Sequence, residues 1–396
     1  MRLQLRTALA AALALGFFLR QGAAWAQSAV KFKRLRYVES TPGITVDEEV
    51  LEVLLTSEDE TQYSGLFIHD TITGASPTGI PAAHAITGAS SSVQKGRGQN
   101  FAPAPDDRWA TSLGYAPLLT RTTRLNTALH YSTELDYRSL GATAGLTFEL
   151  NKKNTTIAPS VTAYRDRVIP ATGTPGGNKD SEVYSLVMSQ VLGPRDIVSF
   201  ALGALNSRGH LTDPYKQVLV GASPMPESRP AHRSGRYAQM GWRTQPWERH
   251  ALDGKVRYYD DDWGVTSVTL NGAVLSQLGE SWLLELFGRY YEQQAARFWA
   301  ASFAAGDTSP YRTADLRLAA FIALTAGVTA TYKLSDAWWL EGSYARYSQR
   351  TGGSGDTANP AAPTPLPAPR VAWGAGVGNE PYMTAQIFSA AVQFRF

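Results

Sequence analysis

The sequence predicts an all-β chain closed into an antiparallel transmembrane β-barrel of about sixteen strands. Three observations carry this. Apolar and polar residues alternate one by one over membrane-crossing lengths. Beyond the first twenty residues no apolar run is long enough for a membrane helix. The connections between alternating segments are long at one end and short at the other.

The closing segment shows the alternation in its simplest form. Phe388, Ala390, Val392, Phe394 and Phe396 share one face, and Ser389, Ala391, Gln393 and Arg395 share the other. Successive strand residues point to opposite sides, so one face is apolar and one polar. Leu125, Thr127, Leu129, Tyr131, Thr133 and Leu135 likewise oppose Asn126, His130, Ser132 and Glu134. Leu140, Leu146, Phe148 and Leu150 oppose Thr143, Thr147 and Glu149, and Trp282, Leu284, Leu286 and Tyr290 oppose Glu285 and Arg289.

Taken in order, residues 1–26 read as a secretory signal. Arg2 and Arg6 precede the uncharged apolar run 8–19, and Ala24-Trp25-Ala26 offers small residues for cleavage before Gln27. The barrel domain is then expected over 27–396. Its strands are expected near 31–39, 44–57, 61–72, 108–119, 122–135, 139–150, 155–167, 181–192, 196–206, 236–246, 250–260, 264–276, 282–293, 319–334, 337–349 and 382–396. With both chain ends in the periplasm, the long connections 73–107, 168–180, 207–235, 294–318 and 350–381 all face outside. Short turns such as 120–121, 151–154 and 193–195 face inside. A soluble sandwich has no reason to sort its loops this way. The segment 74–105 could extend outward or fold into the lumen.

Cysteine is absent, which excludes disulfides and thiolate chemistry. A formal charge of +3 over 396 residues, without a Lys/Arg cluster, argues against a nucleic-acid partner. The 43% hydrophobic content would suit a soluble globule equally, so patterning and not composition carries the prediction. Aromatics near strand ends are expected to form headgroup-level girdles. Trp282, Trp338, Trp339, Phe394 and Phe396 would form the inner one, and Tyr131, Tyr258, Tyr290, Tyr347 and Tyr382 the outer one.

Two side-chain sets carry candidate chemistry. His130, Glu134, Glu149, Glu285, Arg289, Glu341 and Arg395, with Gln393, fall on inward faces and are the candidate lumen lining. Such residues either set selectivity along a water-filled route or brace the bore by pairing across it. Asp136, Asp213, Asp260, Asp261 and Asp262, with Asp70 and Asp315, gather at outer strand ends. Carboxylates at one height could bind a divalent cation, although rim solvation and turn capping need the same residues. The metal question stays open, and no cofactor is expected. Enzyme motifs are missing: none of the six histidines makes H-E-x-x-H, and there is no G-x-S-x-G elbow. His130 beside Ser132 is the one pair from which a membrane-embedded hydrolase could be assembled.

Several segments resemble a family of exported bacterial proteins, the domain-of-unknown-function family thirty-five-seventy. They include Thr73-Gly74-Ala75-Ser76-Pro77-Thr78-Gly79, Leu211-Thr212-Asp213-Pro214-Tyr215-Lys216, Arg257-Tyr258-Tyr259-Asp260-Asp261-Asp262-Trp263-Gly264 and Arg289-Tyr290-Tyr291-Glu292-Gln293-Gln294-Ala295-Ala296. The likeness runs over essentially the whole mature chain. It implies an outer-membrane β-barrel and brings no activity, substrate or catalytic residue.

The expected function is therefore a non-enzymatic outer-membrane barrel of channel or transport type, passing small polar solutes or ions. The alternative is a closed structural barrel whose outer loops contact a partner or lipopolysaccharide, and a membrane-embedded hydrolase ranks third. Expected partners are outer-membrane lipid and lipopolysaccharide, and the barrel-assembly machinery reading the terminal strand that ends at Phe396.

Overall fold

Each alternating segment pairs with its neighbour along the chain, and the last returns to the first. Residues 28–40, 44–73, 106–170, 175–351 and 383–396 are described by a computed structural model of the chain. The expected signal 1–26, the segment 74–105, the connection 352–382 and Tyr382 lie outside the described residues. The strands are β1 (Ala29–Glu39), β2 (Thr45–Thr56), β3 (Gln62–Thr73), β4 (Asp106–Ala116), β5 (Leu118–Thr120), β6 (Thr123–Thr133), β7 (Tyr137–Leu150), β8 (Thr155–Val168), β9 (Gly177–Gly193) and β10 (Asp196–Gly209). There follow β11 (Gln217–Val220), β12 (Ser223–Pro226), β13 (His232–Trp247), β14 (His250–Asp261), β15 (Thr266–Leu278), β16 (Trp282–Gln293), β17 (Phe321–Lys333), β18 (Trp338–Thr351) and β19 (Met383–Arg395).

Sixteen of these strand positions form the wall. β4 and β5 are one strand interrupted at Pro117, which has no N–H for the ladder, and both halves pair with β6. β11 and β12 form a separate hairpin in an outer connection. Every neighbouring pair in the wall is antiparallel. β1 closes the ring by pairing with β2 on one side and with β19 on the other, from Ala29↔Arg395 to Glu39↔Ala385. Closure leaves no strand edge, the condition for a sheet that crosses hydrocarbon.

One end of the ring carries the Ser28–Phe396 pairing and the tight turns. Ser28 and Phe396 exchange both backbone hydrogen bonds there, at 3.1 and 3.0 Å. The β7–β8 turn at the same end holds Asn151, Lys152 and Lys153 at φ of 50°, 54° and 69°. The long connections leave from the opposite end, as the loop lengths predict. Several strands run further toward that end than the alternation does, β9 reaching Gly177 and β13 His232. Their outward residues there are polar, as at Asn178 and Asp180, so the apolar signal stops before the ladder does.

The outward face is greasy and uncovered. Leu129, Leu140, Leu202 and Leu286 are 64, 61, 56 and 53% exposed. Burying each such side chain contributes about 1.5–3 kcal/mol, so the face requires an apolar solvent. Two aromatics expected in the girdles are placed otherwise. Trp339 and Tyr347 lie on the bore side, with the Arg395 guanidinium 4.5 Å from the Trp339 ring and the Tyr347 hydroxyl donating to Gln349 at 2.8 Å. Strand parity decides this: Trp338 and Trp339 are consecutive, so only one can face lipid. Trp338 does so, packed on Phe394, which stacks on Phe396.

Candidate functional site: the bore and its outer strap

The bore wall is chemically uneven. On β7 to β10 many inward positions are small or hydroxylic, among them Gly141, Thr143, Gly145, Ser160, Thr162, Ser185, Ser189, Ser199 and Gly203, with Tyr164, Val183, Val187 and Leu205 between them. Cross-strand hydroxyls bond each other, Thr143 to Thr162 at 2.9 Å and Ser160 to Ser185 at 2.7 Å. His130 joins this ladder. Its Nδ1 lies 2.8 Å from Ser112 Oγ and its Nε2 2.8 Å from Thr143 Oγ1. Both ring nitrogens are occupied by hydroxyls of neighbouring strands. Ser132, the hydroxyl two residues away in sequence, sits opposite Ser139.

Two glycines keep the large rings of this wall flat. A Cβ on Gly203 would overlap the Tyr237 ring, and one on Gly141 would overlap Tyr164. The Arg257 guanidinium lies 4.1 Å from the Tyr237 ring centre, so Gly203, Tyr237 and Arg257 make one layered contact along the wall.

The opposite wall is charged. Lys31 Nζ is 3.0 Å from Glu341 Oε2, joining β1 to β18 across β19. Arg108 binds Asp70 at 2.5 Å, and Asp70 stands opposite Glu48. Register puts Glu285 and Arg289 on the inward face of β16, with no carboxylate or ammonium partner among the described residues. Glu149 faces inward at the short-turn end and pairs with Lys153 at 2.9 Å. Glu134 lies one residue beyond β6, in the outer turn.

The rim carboxylates are not gathered at one point. Asp260, Asp261 and Asp262 are consecutive and so diverge. Asp260 pairs with Arg236 at 3.0 Å, Asp261 with Arg233 at 2.6 Å, and Asp262 with the His232 ring at 3.0 Å. Among the described residues no group of three or more His, Asp or Glu side chains is placed to hold a metal ion.

Asp136 and Asp213 belong instead to a strap of outer connections. The Tyr215 hydroxyl donates to Asp136, in the β6–β7 turn. On the other side, Arg317 binds Asp213 at 2.7 Å and also binds Asp315. Arg229 reaches Asp315 at 2.7 Å and Glu227 at 2.6 Å, and Thr313 donates to Glu227 at 2.6 Å. Glu227, Thr313 and Asp315 are buried. Bridges Val220↔Phe303 and Ser228↔Arg312 dock the 210–231 connection onto the 294–320 connection. The strap thus links the rim at β7 to the rim at β16, seven steps around a sixteen-strand ring. Beneath it Trp263, Val265, Ala296 and Leu318 form a small apolar core.

Burial shapes the electrostatics of the strap. It pushes the Asp136 carboxyl up to about 6, against the Tyr215 hydrogen bond, with Asp106 and Asp213 adding repulsion. Burial likewise raises Glu227 and lowers Lys216. For Asp315 burial works upward, but hydrogen bonds and charge from Arg317, with Arg229 and Lys216, outweigh it and hold the carboxyl well below the usual range.

Sequence reasoning missed Glu227, Arg229, Thr313 and Arg317. They lie in connections without periodicity, and only the Asp213-Pro214-Tyr215 segment and Asp315 marked that region.

A closed sixteen-strand antiparallel ring with an apolar outside and a polar bore defines an outer-membrane-type β-barrel. The chain belongs to the family described as "Protein of unknown function (DUF3570)", whose model matches residues 6–185 and 176–360. No curated protein matches it. Solved structures similar to it include a bacterial polysaccharide outer membrane secretin (8% identity, TM-score 0.48, covering 93% of this chain and 98% of that one). OccK2 (OpdF) of Pseudomonas aeruginosa in complex with glucuronate is similar at 10% identity and TM-score 0.43, with 93 and 98% covered. A Pseudomonas aeruginosa FadL homologue is similar at 11% identity and TM-score 0.42, with 93 and 90% covered.

Proposed function

We propose that this protein is a non-enzymatic outer-membrane channel that passes small polar solutes or ions, with access from outside controlled by the strap. One observation carries the reading. The middle of the inward face of β7 to β10 is rich in glycine, serine and threonine, so about a quarter of the wall presents a hydroxyl-lined stretch, with Tyr164 the large ring beside it. Barrels of sixteen to eighteen strands enclose an aqueous lumen unless side chains or a plug fill it. The charged wall opposite, with Glu285 and Arg289 facing the same space, would set ion preference.

Export through a cleaved signal over 1–26, insertion through the terminal strand ending at Phe396 and residence in the outer membrane belong to the same proposal. The exposed apolar belt supports it. His130 is a wall residue in this reading: its rings of contact are two hydroxyls, and no carboxylate orients it as a catalytic base.

Conductance across a planar bilayer tests the proposal. Folded full-length protein should give discrete steps whose ion preference follows the inward charges. Folded, inserted protein that never conducts in either polarity would remove it.

A further inference from the structure

The outer rim of β7 to β10 sorts its outward charges into two tiers, and only one of them contains a carboxylate. In the lower tier Arg165, Asp180 and Arg208 stand side by side on β8, β9 and β10, and Arg165 meets Asp180 at 3.2 Å. In the upper tier Arg138 on β7 stands directly opposite Arg167 on β8, with Asn178 and Thr133 as the outer neighbours. Both arginines are exposed, and neither has an ion pair among the described residues. Asp166, between Arg165 and Arg167 in sequence, faces the bore, where it accepts from Ser139 at 2.6 Å and binds Lys179 at 3.1 Å. Like charges directly opposite on one sheet face are destabilising, because their Cβ atoms are only about 4.5–5.5 Å apart. The wall therefore holds a doubled positive charge with no counter-charge of its own.

Its height indicates what supplies the counter-charge. Below Arg138 the outward face of β7 runs Leu140, Ala142, Ala144, Leu146, Phe148, Leu150. At about 3.4 Å per residue and a tilt of roughly 40°, that run rises about 26 Å, the height of an outer-membrane apolar band. Arg138 and Arg167 then stand one pleat above the hydrocarbon, at the level of lipid headgroups. They sit at the end of the barrel that bears the long connections, the side that faces the outer leaflet.

We propose that Arg138 and Arg167 form a binding site for a phosphate group of an outer-leaflet lipid, held between two guanidinium forks on the membrane face of the barrel. Guanidinium forks match phosphate oxygens, and charge-assisted bonds of this kind are the strong ones. The anion converts an unfavourable arginine pair into two favourable contacts, and the lipid's acyl chains lie along Leu140, Leu129 and Tyr131, all exposed by half or more. The inference rests on the membrane placement proposed above and not on conduction, so a non-conducting barrel leaves it standing.

The test uses full-length protein folded in zwitterionic detergent, with foldedness followed by heat-modifiable migration. Thermal unfolding is recorded with added diphosphorylated lipid A, with the same lipid stripped of phosphate, and with inorganic phosphate. Wild type should be stabilised by the phosphorylated lipid alone, and R138Q/R167Q should need about tenfold more of it or fail to respond. R236Q, whose arginine already has Asp260, should respond as wild type. R138E supplies the missing carboxylate opposite Arg167, and it should be stable without lipid and indifferent to it. This variant keeps the test decisive if R138Q/R167Q does not fold. Equal responses of wild type and R138E, or equal potency of the stripped lipid, would overturn the site. Equal potency of inorganic phosphate would reduce it to an adventitious ion only.

Discussion

The Tyr215 hydroxyl donates to the Asp136 carboxylate across 79 residues of sequence, and this contact fastens the outer strap to the β6–β7 turn. Burial favours the protonated acid here, which makes the fastening sensitive to pH.

Between the ordinary aspartate value near 3.8 and about 6, the folded strap binds more protons than the opened one. Stability therefore falls as pH rises through this window, by an amount on the order of 3 kcal/mol, and is level above it. Glu227, also raised by burial, adds a slope of the same sign, whereas Asp315 is ionised throughout the window. Hydrogen-exchange protection over 210–231, taken relative to the intrinsic rate at each pH, should fall from pH 4 to pH 7. D136N should flatten that fall to the part due to Glu227, and an unchanged slope would exclude Asp136 as the sensor.

Arg229 is the counter-charge for the buried Glu227 and shares the buried Asp315 with Arg317. Removing one partner of a buried pair costs about 3–5 kcal/mol, because the remaining charge is left in apolar surroundings. R229M should open the strap while leaving the barrel closed. Limited proteolysis should then cut within 210–231 or 294–320 faster than in wild type, with heat-modifiable migration unchanged.

Ion preference should answer to Glu285 and Arg289. A unit charge about 7 Å from an ion in water contributes roughly 0.6 kcal/mol, which is about threefold in local ion concentration. R289Q should move the reversal potential toward cation preference, and E285Q toward anion preference. No shift for either would place the conducting route elsewhere.

Gly203 lets the Tyr237 ring lie against the wall beneath Arg257. G203A would force the ring off its bed toward the bore, at a cost of about 1–3 kcal/mol. Single-channel conductance should drop, and the thermal midpoint in detergent should fall with it. G254A makes the control, since an added Cβ there meets little.

The wall was legible in the sequence because hydrocarbon imposes one rule on every strand. Leu140 to Leu150 and Phe388 to Phe396 must alternate, and a two-residue period leaves no latitude for register. Turns such as 151–154 were readable for the same reason, as interruptions of the rule. The strap was not readable. Glu227, Arg229, Thr313 and Arg317 are brought together by connections whose path follows no period, and their partners lie about 86 to 104 residues away. The rim aspartates could be named but not assigned, since Asp260 to Asp262 look like a cluster until the pleat sends them to different neighbours. Trp339 shows the converse: its position in the sequence suggested lipid, and parity with Glu341 turned it inward.

The seam between β1 and β19 sets an order of events. Ala29 cannot find Arg395 until every strand between them has been made. Until then the first hairpin keeps one row of amides unanswered, a surface that would recruit any extended stranger. The molecule is thus most exposed to error before the circle is joined, while the free side of β1 still offers an open edge.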